Sequence, residues 1–250
     1  MFVRPTNPVS HRLARMAFLM ACVAALIVAS AGPLYRFAGL DIEPAFTIFR
    51  YGFYIALAGL ALGLATILPT RPGERRRGFV AALLAAVIGA ATAYLPLIWF
   101  MHAQQSVELN DISTDITNAP AMVVTLPLRR GASNPPAYPG AKTGALQRSA
   151  YPDIVPVILP QAPAEAFKRA DAAATAMGLD VVARAPAEGR LEAVATSPWF
   201  GFREDIVIRI RPEGAGSRID IRSKSRNGDA DFGVNARRIR EFIARLKADN

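Results

Sequence analysis

The chain has 250 residues, enough for one membrane unit and one modest globular domain, and 52% of them are hydrophobic, an excess that lies mostly before His102. The net charge of +9 is unevenly placed: 9 Arg and no Lys face 3 acids from Met1 to Met101, whereas 20 basic residues face 17 acidic ones beyond Met101. Positive charge gathered beside apolar segments sets topology and does not argue for a nucleic-acid partner, while the single Cys22 excludes an internal disulfide and a Cys-based metal site.

Three apolar segments, Leu13–Ala31, Ile48–Leu68 and Phe79–Met101, each approach the ~20 residues that cross a bilayer core. None has an ionised residue at its centre, and Arg15, at an edge, can snorkel. Residues 1–101 are therefore expected to be a three-span membrane anchor. Arg4, Arg12 and Arg15 precede the first span, and Arg71, Arg75, Arg76 and Arg77 fill the second connection. In the first connection Arg36 and Arg50 are offset by Asp41 and Glu43. The positive-inside rule then places the N-terminus and the second connection in the cytoplasm and everything after the third span on the far side, the periplasm of a bacterial inner membrane. A competing reading makes the first segment a cleaved signal peptide ending at Ala29-Ser30-Ala31; it leaves the far-side location unchanged. Gly59 and Gly63 form a GxxxG, repeated as Gly89 and Ala93, a spacing that suits a homo-oligomer contact through the transmembrane helices or packing within one chain.

Residues 102–150, rich in Pro, Gly, Ser, Thr and Asn, read as an irregular linker. Residues 151–250 read as a soluble α+β domain. Ile154–Leu159 is a strand interrupted by Pro156 and hence at an edge. Pro163 opens a helix to about Met177, stopped by Gly178. Leu179–Arg184 and Arg190–Thr196 flank a turn and form a hairpin, as do Asp205–Arg211 and Arg218–Arg226. In the second hairpin Ile206, Ile208, Ile210, Ile219 and Ile221 point one way, and Asp205, Arg209, Arg211, Asp220, Arg222 and Lys224 the other. Pairing Ile210 with Ile219 sets Arg209 opposite Asp220 and Asp205 opposite Lys224, which favours this register over a slipped one. A last helix, about Asn235 to Lys247, carries the stripe Ile239, Phe242, Ile243 and Leu246. The expected fold is three transmembrane helices followed by a two-layer α+β domain, β-α-β-β-β-β-α, with an antiparallel sheet and two helices on one face.

Three stretches carry a resemblance. They are Asp111-Ile112-Ser113-Thr114-Asp115 with Asn118-Ala119-Pro120; Phe200 to Arg209; and Asp220 to Ile239, which includes Asn227-Gly228-Asp229-Ala230-Asp231-Phe232-Gly233. From about Leu109 to Leu246 the chain resembles a bacterial family known only as a domain of unknown function, number fourteen ninety-nine. Glu204 stands where that pattern often has Asp, and Asn227 where Val is common. The resemblance implies a membrane-associated or envelope domain and transfers no catalytic residue.

The densest polar constellation comprises Arg209, Asp220, Arg222, Ser223, Ser225, Arg226, Asp229, Asp231 and Asn235. It could bind an anion or a partner beside the last helix's N-terminus. The alternative is that Arg222 and Lys224 pair with carboxylates while Asp229, Asp231 or Asn235 caps the helix. No His lies within the globular part, which excludes a Ser-His-Asp arrangement, and there is no phosphate loop or dinucleotide fingerprint. The sequence thus points to a membrane-tethered, non-enzymatic envelope domain with no metal or cofactor that binds a protein partner or an anionic ligand. The rivals are a carboxylate-based hydrolase using two of Glu192, Asp205, Asp220 and Asp229, and a carrier of lipid or another hydrophobic ligand.

Overall fold

The computed structural model describes residues 8–71, 77–105 and 107–248. Arg4, Arg75 and Arg76, which enter the topology argument, lie outside the described residues. By contacts the chain divides into two units. One holds the apolar helices through Gln104 together with Trp199–Gly201; the other holds the rest from Gln105 onward.

In the first unit α1 (Pro8–Ala38), α2 (Ile42–Ile67) and α3 (Arg77–Gln105) are each long and apolar enough to cross a membrane. They outrun the apolar segments because helix geometry continues through their flanks. The small residues seat the spans against one another. A Cβ on Gly59 would stand 3.1 Å from the Ala21 nitrogen of α1, one on Gly63 2.9 Å from the Ala86 nitrogen of α3, and one on Gly89 2.9 Å from the Leu60 nitrogen of α2. The GxxxG spacing thus serves close approach of backbones within one chain.

The second unit is built on a six-stranded antiparallel sheet: β1 (Asp111–Ser113), β2 (Val157–Leu159), β3 (Asp180–Ala185), β4 (Arg190–Thr196), β5 (Arg203–Glu213) and β6 (Gly216–Ser225). The order is β1-β6-β5-β4-β3, and β2 also pairs with β6. The expected hairpin register is observed, with Ile210 opposite Ile219, Arg209 opposite Asp220 and Asp205 opposite Lys224. The strands run further than the alternation suggested, to Glu213 opposite Gly216, so the turn is only Gly214-Ala215. Between β3 and β4, Gly189 adopts φ 61, and a Cβ there would lie 2.1 Å from the Ile210 oxygen, so only glycine fits.

The isoleucine face is the core. Ile206, Ile208, Ile210, Ile219, Ile221 and Leu191 pack with Phe167 of α6 (Pro163–Ala176) and with Ile239, Phe242 and Leu246 of α7 (Val234–Ala248). Burying each such side chain contributes roughly 1.5–3 kcal/mol. The region read as an irregular linker is more ordered than expected. It supplies β1, the short α4 (Thr125–Leu128) and α5 (Ala141–Ala150), and from Asp115 to Tyr138 it lies over the sheet's polar face. The domain therefore has a third layer that composition alone concealed: Pro and Gly prevent long elements, while the buried polar groups beneath hold the backbone in place.

Candidate functional site

Strand pleating divides the nine-residue constellation between the two sheet faces. Arg209, Asp220, Arg222 and Arg226 lie on the polar face, whereas Ser223 and Ser225, opposite Ile206 and Glu204, lie on the α7 face. Asp231 and Asn235 stand with the serines, and Asp229 is exposed in the turn. The residues therefore do not form one contact surface.

On the polar face, fully buried carboxylates are surrounded by cations. Asp111 receives Arg222 at 2.9 and 2.8 Å and Lys224 at 2.8 Å. Asp205 receives Arg129 and Arg226, and Asp220 receives Arg209, Arg211 and Arg218. Asp115 adds a second acceptor for Arg209 and Arg218. This explains how Arg211 can sit opposite Arg218: both reach across to Asp220. The guanidiniums also bind the covering chain. Arg222 donates to the Pro120 and Pro136 oxygens at 3.1 and 2.8 Å, Arg226 to the Leu128 oxygen at 2.8 Å, and Arg209 to the Asn118 oxygen at 2.7 Å. Burial lowers the Lys224 pKa, and the neighbouring Asp111 partly restores it. These side chains are committed to structure, which is the pairing alternative weighed above.

Glu192 plays a related part on β4. Its buried carboxylate pairs with Arg190 and accepts the backbone N–H groups of Val123, Val124 and Thr125 and the Thr125 hydroxyl, at 2.7–3.2 Å. Burial alone would raise this carboxyl's pKa, but the hydrogen bonds from Thr125, Val124 and Val123 outweigh it and hold the value below the usual one. At the outer edge of β1 the Gln147 amide donates to the Ser113 oxygen at 2.6 Å and accepts its N–H at 2.9 Å, taking the place of a neighbouring strand.

On the α7 face, the Asp231 carboxylate accepts the Gly233 and Asn235 N–H groups at 2.8 and 2.7 Å and caps the helix. Asn235 joins Ser223 and Ser225, and Arg238 reaches Ser223, Asn235 and Glu204. Burial raises Asp231 and pushes Glu204 up to about 7, with Arg238 opposing the latter shift. The space between the sheet and α6 and α7 holds the packed apolar core.

Outside the frame, a groove of about 740 Å³ runs between the 116–119 loop, Tyr138 and α5. Its charged lining residue is Arg148, and Asn118 and Ser149 add polar groups. The Tyr138 hydroxyl is buried without a partner among the described residues, and burial first, then Asp111, pushes its pKa up to about 12. Between Asp115 and Asp153 the chain has no acid at all. No group of three or more His, Cys, Asp or Glu is placed to hold a metal ion among the described residues.

Sequence reasoning missed Asp111, Asp115, Thr125, Arg129 and Gln147 because they lie in the supposed linker. Two signals were present. Asp111, Ser113 and Asp115 alternate with period two, and the polar faces of β5 and β6 carry more cations than their own acids can neutralise.

No match was found among curated proteins or among solved structures. A family model described as a protein of unknown function, DUF1499, matches residues 111–246, a span that takes in β1, the covering segment, every other strand and most of α7. The chain belongs to that family, the buried ion-pair frame falling within its bounds.

Proposed function

We propose that the chain is a bacterial inner-membrane protein whose outer, periplasmic domain binds an anionic group, free or carried by a protein partner, without catalysing a reaction. The arginine distribution around the spans supports the orientation. The observation that carries the binding reading is the groove beside α5. It has a guanidinium from Arg148 and no acid in its lining, and Tyr138, whose buried hydroxyl has no partner among the described residues, stands at its wall. The buried residues of the sheet serve as the frame that holds this outer layer still. The hydrolase reading would need two unpaired carboxylates in a pocket, and Glu192, Asp205 and Asp220 are buried and fully engaged.

The test is co-purification and crosslinking of the full chain from membranes, comparing wild type with Arg148→Glu and with Lys168→Glu, an exposed position on α6, as a charge control. Loss of a bound species in Arg148→Glu alone is expected; an unchanged set of bound species would overturn the reading. A C-terminal reporter active only in the cytosol would overturn the orientation.

A further inference from the structure

The covering segment displays an apolar knuckle. Val123, Val124, Leu126 and Leu128 are 50%, 38%, 45% and 46% exposed, four large hydrophobic side chains within six residues. They are held outward by design of the backbone beneath. Three consecutive N–H groups turn inward onto the Glu192 carboxylate, the Thr125 hydroxyl follows them, and the intervening side chains are forced toward solvent. The exposed Arg130 follows, beside a shallow cleft of about 410 Å³ lined by Leu126, Pro127, Ser133 and Pro135.

From these observations we infer that the Val123–Leu128 knuckle inserts into the interface of an anionic lipid bilayer, with Arg130 at the headgroups. Rigidly displayed apolar side chains mark contact surfaces, and three facts select lipid as the occupant. The chain carries three helices long and apolar enough to cross a membrane, and only five positions separate the end of α3 at Gln105 from the start of β1 at Asp111. The whole stretch between Asp115 and Asp153 lacks an acid, while Arg130, Lys142 and Arg148 are exposed in it. Apolar tips with basic flanks and no carboxylates suit anionic headgroups over acyl chains. The inference does not depend on which side of the membrane the domain occupies, nor on what the α5 groove binds.

Cys22 is the sole cysteine, so site-specific labelling is straightforward. The full chain carrying Cys22→Ala and Leu126→Cys, labelled with an environment-sensitive fluorophore, is placed in nanodiscs of phosphatidylcholine with or without phosphatidylglycerol. Lys168→Cys, well exposed on α6, is the control. The label at 126 should be quenched by shallow spin-labelled lipid at least twofold more than the label at 168, more strongly with phosphatidylglycerol, and Arg130→Glu should remove that lipid dependence. Free quenching at 126 by aqueous iodide, equal to that at 168, would overturn the inference. So would shielding from iodide without lipid quenching, the signature of a protein or a second copy covering the knuckle.

Discussion

Arg222 and Asp111 form a fully buried two-point pair, 2.9 and 2.8 Å, between residues 111 positions apart. The same carboxylate also serves Lys224. Removing it leaves two cations in a dry interior, so Asp111→Asn should cost about 3–5 kcal/mol. Thermal melting of the full chain in detergent is the measurement. A variant that melts within two degrees or so of wild type would show that water reaches the pair.

Glu192→Ala removes the common acceptor of three backbone N–H groups. Amide exchange at Val123, Val124 and Thr125 should accelerate by about two orders of magnitude or more, while the sheet core stays protected. Unchanged protection at those amides would mean that the covering segment holds its shape without the carboxylate.

Glu204 makes stability depend on pH in the direction opposite to an ordinary ion-paired acid. Burial raises its pKa from 4.5 to about 7, so the folded state binds the proton more tightly than the unfolded chain does. Its contribution is complete below the unfolded value and is lost as pH rises from 4.5 toward 7, by at most about 3 kcal/mol. Melting temperature should fall between pH 5 and 8 in wild type and much less in Glu204→Gln; burial raises Asp231 too, so its contribution has the same sign. Parallel pH profiles would refute the assignment. Glu192 acts oppositely: its lowered pKa contributes stability above the unfolded value that is lost on acidification.

Tyr138→Phe deletes a hydroxyl that bonds to nothing among the described residues, so the melting temperature should hold or rise slightly. A loss above about 1 kcal/mol would reveal a partner such as ordered water.

Gly63→Leu and Gly89→Leu should destabilise the spans by about 1–3 kcal/mol through overpacking against backbone atoms, with the mass of the detergent-solubilised particle unchanged. A change of oligomeric mass would instead place these glycines between chains.

The spans and the hairpin register were legible because each rests on a short-range rule. Apolar length marks a crossing helix, and Arg209 beside Asp220 fixes strand pairing. The covering layer was not legible, because Asp111 and Asp115 find their cations about a hundred positions away, and local composition reads such a segment as a linker. The division of the polar residues between two faces was hidden for a different reason. Neighbours in sequence, Arg222-Ser223-Lys224-Ser225, look like one patch, yet alternation sends them to opposite faces of the sheet.

The pairing of β1 with β6 also sets an order of events at the ribosome. Residues from Asp111 to Tyr138 emerge early, but their partners Arg222, Lys224 and Arg226 arrive about a hundred residues later. Closing so long a loop is slow. The Asp111 carboxylate must wait unpaired until translation is nearly finished, so a chain stopped before β6 lacks both the strand that β1 pairs with and the cations that Asp111 serves.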